Sequence, residues 1–375
     1  MQSLRSARVL ALAVVATMAI AARAALPIYE PFADAVSLGG TAYTIGDPVP
    51  GQNNGTNGAA WFAAGAAGTN NSVSAANLSV TGLSSSSGGS MQFGVSSGPS
   101  ARLNLGSSFN SGILYYSFAL KVTDLGTLGT SGGFIAGFNN TQNAQGSTPT
   151  VITTALMMRA VAGQPGNYNI GVRKGTGTPA WSPTALSVNN TVFVVGSYTF
   201  NPDTTTDDVA KMWVNPSFST FGGATPADEL VHNQAGQADI ASIASLVFWR
   251  RGDSNGALQP AAMFADEVRL GSTWAEVTPQ GAVPSTTGDF NNDGRVDAAD
   301  YVVWRKANGT SNALPNDNGL GVPIGSSHYT LWRQNFGNPP GSGSGFDTTL
   351  AVPEPCALGL IAYLLLPFFV SRHRS

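Results

Sequence analysis

Apolar and polar positions alternate with a period of two along much of the chain. Over Ile113–Val122, "ILYYSFALKV", Leu114, Tyr116, Phe118, Leu120 and Val122 share one face, and Ser117 and Lys121 fall on the other. That spacing predicts a strand half-buried against a second layer. In "NYNIGVRK", Tyr168, Ile170 and Val172 point inward, with Asn167, Asn169 and Arg173 outward. "TVFVVGSYTF", Thr191–Phe200, is apolar on both faces and predicts a central strand. "GGFIAGFNN", "ASLVFWRRG" and "AMFADEVRLG" add further strands, separated by Gly/Ser/Asn turns. A sustained helical stripe is missing until position 289. Many antiparallel strands without a repeat period predict a mainly β, two-sheet jelly-roll sandwich over 25–279.

Helical periodicity begins after an aspartate-rich stretch. "AADYVVWRKANG" predicts a helix that stops at Asn308-Gly309. Shifting by 28 residues overlays "YVVWRKANG" on "YTLWRQNFG", so Tyr301, Trp304 and Arg305 align with Tyr329, Trp332 and Arg333. The repeat delimits a small helical module at 289–337. Segments rich in Pro, Gly, Ser and Thr at 280–288 and 338–351 read as linkers.

Both ends are apolar. Residues 1–24 carry Arg5 and Arg8, an apolar run and Ala22-Arg23-Ala24, the pattern of a cleaved signal peptide. Residues 352–375 begin Val352-Pro353-Glu354-Pro355, continue through an apolar run from Cys356 to Val370, and end on Arg372 and Arg374. That run is short for a comfortable span but suits a terminal apolar helix in contact with a membrane.

Composition suits many short strands joined by tight turns. Of 375 residues 45 are Gly and 10% are charged, a turn-rich profile that disfavours helical bundles. Cys356 is the only cysteine, so the body forms no disulfide. From 25 to 351 there are 13 Lys+Arg against 20 Asp+Glu, a net charge of −7; the sequence shows no basic patch, and no nucleic-acid partner is expected.

The aspartates carry the most specific chemistry. Counting from Asp289, positions 1, 3, 5, 7, 9 and 12 are Asp289, Asn291, Asp293, Arg295, Asp297 and Asp300, and position 6 is Gly294. This is the ligand spacing of an EF-hand loop, with Arg295 contributing its carbonyl, and it predicts one Ca2+. In the second copy the equivalent positions are Asp317, Gly319, Gly321, Pro323, Gly325 and His328. Only Asp317 is acidic there, so no second Ca2+ is expected.

Three resemblances follow from these residues. The sandwich, through "YEPF", "YYSFALKV…GGFIAGFNN", "KMWVNPS" and "FADEVRLGSTWAEVTP", resembles the concanavalin A-like superfamily in its laminin-G-like form. The doubled loop-and-helix resembles a dockerin type I module. Its family contacts cohesin partners through positions that match Ala298, Ala299, Arg305 and Lys306 here; with the second loop degenerate, a calcium-stiffened stalk is the competing reading. The tail, Val352-Pro353-Glu354-Pro355 onward, resembles the PEP-CTERM sorting signal, which implies an exosortase-type protease and placement at the cell surface or in the extracellular matrix.

Enzymatic signatures are sparse. The Glu-x-Asp-x-x-Glu strand of laminarinase-type relatives is absent, and no Gly-x-Ser-x-Gly nucleophile elbow is read. Asp266 and Glu267 are adjacent and read as strand-end charges, and His232 lacks a motif partner. Among Trp61, Trp181, Trp213, Trp249 and Trp274 most read as core residues. Trp181, between prolines in "GTGTPAWSPT", reads as a loop tryptophan able to stack on a polysaccharide. The expectation is a non-catalytic surface protein that binds carbohydrate or serves structurally, with a divergent glycoside hydrolase as the alternative.

Overall fold

The computed structural model describes residues 26–32, 42–52, 60–64, 71–94, 100–142, 149, 151–227, 230–232, 237–251, 262–281 and 286–338. The segments read as signal peptide (1–24) and sorting tail (352–375), including Val352, Pro353, Glu354 and Pro355, lie outside them. Among the described residues no helix is long and apolar enough to cross a membrane. The chain divides into two compact units, one up to Ala282 and one from Val283.

The first unit is the expected antiparallel sandwich. Sheet I contains β1 (Ile28–Glu30), β3 (Ser72–Ser74), β4 (Ser90–Phe93), β6 (Gly112–Asp124), β12 (Thr191–Phe200), β13 (Val209–Val214), β14 (Leu230–His232) and β16 (Ala262–Gly271), in the order β14-β13-β12-β6-β16-β4-β3 with β1 also on β16. Sheet II contains β2 (Trp61–Ala64), β5 (Ser100–Phe109), β7 (Gly133–Asn139), β8 (Ile152–Ala160), β9 (Asn167–Arg173), β10 (Ala180–Trp181), β11 (Leu186–Ser187) and β15 (Ile243–Arg251), in the order β10-β9-β8-β7-β15-β5-β2 with β11 also on β9. β12 lies between β13 and β6, as its two apolar faces require.

The inward residues named from the alternation form the core between the sheets. Tyr116, Phe118 and Phe138 meet Phe248, Phe93 and Trp61 in a chain of edge-on and tilted aromatic contacts 4.9–6.0 Å apart. Gly196 is required within it, because a side chain there would run into the Tyr116 ring. Glu30 fastens the first strand from inside. Its carboxylate accepts from Tyr43 Oη (2.6 Å), Trp61 Nε1 (2.9 Å) and the Phe32 amide (2.8 Å).

The outer face of sheet I is not solvated, which alternation alone would suggest. The helical turn α1 (Trp274–Val277) and a single 3-10 turn at Phe218–Thr220 lie over it. Ser117 Oγ donates to the Val277 carbonyl (2.6 Å), and Trp213 packs edge-on against Trp274 at 5.0 Å. Asp266 and Glu267 also depart from expectation: they sit mid-strand in a β-bulge of β16, both with no exposed surface. Glu267 adopts a left-handed φ of 56°, held by Arg269 Nη2 (2.5 Å) and Tyr29 Oη (2.8 Å).

The second unit packs α2 (Ala298–Ala307) and α3 (Ser326–Asn335) around Phe290, Trp304, Leu314 and Ile324. α2 ends where the sequence predicts, ahead of Gly309 at φ 83°.

Candidate functional site

Three places gather polar chemistry: the aspartate loop, a carboxylate cluster at one edge of the sandwich, and the outer face of sheet II.

In the loop Asp289, Asn291, Asp293, Asp297 and Asp300 are tied to one another through backbone amides. Gly294 (φ 79°) and Asn292 (φ 57°) turn the chain inward, and each acidic side chain is oriented by backbone amides. Asp289 Oδ1 and Oδ2 accept from the amides of Asp293 (3.0 Å) and Gly294 (2.7 Å). Asp293 Oδ1 accepts from Arg295 N (3.0 Å), and Asn291 Oδ1 from Asp293 N (3.1 Å). Asp297 caps α2 by accepting from Ala299 N (2.7 Å). Asp300 closes the loop, its oxygens accepting from Asn291 N (3.0 Å) and Asp297 N (2.8 Å). Asp289 and Asp300 have no exposed surface, and Val296 anchors the middle of the loop in the interior.

Burial, with the Asp300 and Asp293 carboxylates adding, pushes the Asp289 carboxyl up to about 6, and burial raises Asp300 as well. Buried carboxylates that raise one another's pKa form a donor set deficient in positive charge. With every candidate ligand an oxygen, the residues fit a hard divalent cation such as Ca2+. Ala298, Ala299, Arg305 and Lys306 are all exposed and, with Val302, share one face of α2.

The second loop is built differently. Asp317 accepts from the amides of Gly319 and Gly321 (2.9 Å each), and His328 takes the place of Asp300. His328 Nδ1 accepts from Gly325 N (3.3 Å), while Nε2 lies 3.7 Å from Asp317 Oδ2. A buried imidazole thus occupies the space that a carboxylate fills in the first loop.

The carboxylate cluster consists of Asp207, Asp208 and Asp239. It carries its own cation: the buried Lys174 ammonium donates to Asp239 Oδ1 (2.5 Å), the Asp208 carbonyl (2.6 Å) and the Thr206 carbonyl (3.1 Å). Tyr198 Oη (2.7 Å) and Asn201 N (2.6 Å) satisfy the Asp208 carboxylate. Beside it, His232 accepts from Lys174 N (3.1 Å) and its Nε2 lies 2.9 Å from the Thr178 carbonyl. Burial lowers its pKa, and a neutral imidazole between one donor and one acceptor is structural.

The outer face of sheet II corrects one sequence expectation. Trp181 is not in a loop; it lies on edge strand β10, opposite Gly171 of β9. Its indole packs against the backbone at Gly171 and Gly132, where a Cβ would approach ring carbons within 2.7 Å. The Arg159 guanidinium stands over the ring, 4.4 Å from its centroid. Trp181 and Trp249, both half-buried, flank an outer apolar cluster of Phe134, Ala155 and Met157.

Charge is divided unevenly between the sheets. The eight strands of sheet II contain five arginines (102, 159, 173, 250 and 251) and no Asp or Glu, whereas Glu30, Asp124, Asp266 and Glu267 all lie on sheet I. Arg102 is buried without exposed surface. The pairing of Arg159 with Asn169 and of Arg173 with Ala155 places both arginines in the outward register, and both are partly exposed.

No catalytic constellation forms among the described residues. Asp266 accepts from Leu78 N (2.8 Å) and Glu267 N (2.7 Å), and Glu267 is held by Tyr29 and Arg269, so both carboxylates serve the bulge. Three stretches do spell Gly-x-Ser-x-Gly, at 94–98, 129–133 and 252–256, which corrects the sequence reading. The second is a turn into strand β7, not the strand-to-helix elbow that exposes a nucleophile.

No family model and no curated protein matches this chain. Solved structures do. An endo-beta-1,4-glucuronan lyase from the fungus Trichoderma reesei matches at 15% identity over 59% of this chain and 98% of its own, with a TM-score of 0.33. Alginate lyase A1-II', a member of polysaccharide lyase family 7, matches at 13% over 52% and 82% (TM-score 0.30). The carbohydrate recognition domain of Emp47p matches at 11% over 64% and 96% (TM-score 0.32). At these values none transfers a residue role or an activity to this chain.

Proposed function

We propose that this is an exported, non-catalytic protein of the cell surface or extracellular matrix whose sandwich binds carbohydrate, or serves structurally there, and whose second unit is stiffened by one Ca2+. The carrying observation is the asymmetry of the sandwich. The outer face of sheet I is covered at Ser117 and Trp213 by α1 and the 3-10 turn, while sheet II presents half-buried Trp249 beside Trp181 and its stacked Arg159 on the outer side. Flat apolar surface edged by hydrogen-bond donors is what sugar rings require.

In the second unit Asp289, Asn291, Asp293, Asp297 and Asp300, with the Arg295 carbonyl, would hold the ion, and the exposed α2 face of Ala298, Ala299, Arg305 and Lys306 would meet a cohesin-like partner. The tail would be handed to an exosortase-type protease. A glycan array run beside a reducing-sugar release assay tests the first part. Binding without turnover is expected, and release above a heat-killed control would establish the polysaccharide-degrading alternative instead.

A further inference from the structure

Resting on that carbohydrate-binding reading, we infer that the outer face of sheet II recognises carboxylated, uronate-containing polysaccharides, with the Arg159 guanidinium as the group that reads the carboxylate and Trp181 as the residue that positions it.

Three observations carry this. The first is the segregation of charge. A chain with a net charge of −7 over 25–351 places five arginines and no carboxylate on the strands of one sheet. Of these, Arg102 is buried, while Arg159 and Arg173 stand in the outward register and are partly exposed; no strand of the sheet sets a carboxylate beside Arg159, so an anionic ligand is its complement.

The second is the state of Arg159. A guanidinium has five N–H donors in a planar fork. Among the described residues Arg159 makes no hydrogen bond or ion pair; its contact is the Trp181 ring at 4.4 Å. The other well-placed cations of the sandwich are consumed internally, Lys174 by Asp239 and Arg269 by Glu267. Stacking on an indole covers a face of the guanidinium and leaves its N–H edge for a ligand, and that edge matches the two coplanar oxygens of a carboxylate.

The third is how Trp181 is held. Its ring is pressed to the sheet because Gly171 and Gly132 lack side chains, and its edge contacts the Phe134–Met157 cluster. With Arg159 over it, the indole is a platform for the arginine rather than an open stacking surface. Sugar-ring contact then falls to the neighbouring half-buried Trp249, beside Phe134 at 6.5 Å.

The test uses the full chain in affinity electrophoresis against four polymers: polygalacturonate, the same polymer fully methyl-esterified, a sulfated galactan and a neutral glucan. Polygalacturonate should be retarded most, esterification should abolish the effect, and added salt should weaken it by about tenfold or more as exposed charges are screened. Arg159→Ala should lose about tenfold, and Arg159→Lys should recover only part because a point charge cannot form the fork. Thermal melting of each variant confirms folding, and the esterified polymer tests the idea without any variant. Equal binding of the esterified or neutral polymer, stronger binding of the sulfated one, or an unchanged Arg159→Ala would overturn the inference while leaving carbohydrate binding intact. No binding to any polymer would overturn both.

Discussion

Trp304 donates its indole N–H to the Gly325 carbonyl (3.0 Å), and Trp332, its counterpart after the 28-residue shift, donates to the carbonyl of Asp297, the counterpart of Gly325 (2.7 Å). The backbone repeats this exchange. Val296 pairs with Gly337 and Asn338, and Ile324, again shifted by 28, pairs with Gly309 and Thr310. Each half-module therefore holds the other's loop, and the second loop retains this role after losing its acidic ligands.

The full chain should accordingly bind one Ca2+ by isothermal titration. Asp289→Ala should abolish binding, and Asp317→Ala should leave the stoichiometry at one. A second equivalent site would contradict the reading of His328 as a replacement for the ligating carboxylate. At a free Ca2+ concentration about a hundred times Kd, the second unit should gain about 2.7 kcal/mol, and a chelator should remove it.

Replacing Trp332 by Phe keeps the ring in place but removes the hydrogen bond to Asp297, the residue that both belongs to the loop and caps α2. The part-buried carbonyl keeps the first backbone hydrogen bond of α2 but loses its indole donor, which should cost about 0.5–1.5 kcal/mol. Ca2+ affinity should fall with it, measured on the same titration.

Lys174→Met should be far more damaging than its surface-like identity suggests. It would leave the Asp239 carboxylate and two backbone carbonyls without their cation in a buried setting. Removing a single partner of such an arrangement costs about 3–5 kcal/mol. Denaturant unfolding of the sandwich should show this as a lower midpoint; a change below about 1 kcal/mol would mean the ammonium contributes no more than an exposed ion pair.

Stability should fall as pH rises from about 4 to about 8. Burial pushes the Asp266 carboxyl up to about 8, with the Glu267 carboxylate adding and the Arg269 guanidinium opposing. Its unfolded value is about 3.9, so between these values the native state holds the extra proton. The stabilisation is complete below the lower value and is lost as pH climbs through the upper one. The melting temperature should decline across that window, and Asp266→Asn should flatten the decline. A decline as steep in the variant would assign it to other groups.

Gly171→Ala tests the seating of Trp181. The new methyl would lie 2.7 Å from the indole and 2.8 Å from the Ala180 carbonyl, so the ring must lift. A loss of about 1–3 kcal/mol is expected, with a red-shifted tryptophan emission and weaker binding of polygalacturonate.

Local patterns were readable because their causes are local. The inward faces of β6 and β9 follow from a two-residue period, and the aspartate loop from ligands spaced within twelve residues of Asp289. Trp181 was misplaced because flanking prolines resemble a loop, while its pairing with Gly171 depends on a neighbouring strand. Asp266 and Glu267 read in the sequence as strand-end charges because a bulge leaves little mark on the residues that form it.

By itself, then, the sequence determined the two-layer β architecture, the helical second unit and the spacing of oxygen ligands in its first loop, since each depends on periodicity or on residues near one another in the chain. Only the tertiary structure decided that α1 covers Ser117 on the outer face of sheet I, that Lys174 lies among three aspartates, and that arginines from four separate strands share a sheet whose strands carry no carboxylate. Those relationships depend on strand order, and strand order brings together residues that no local pattern connects.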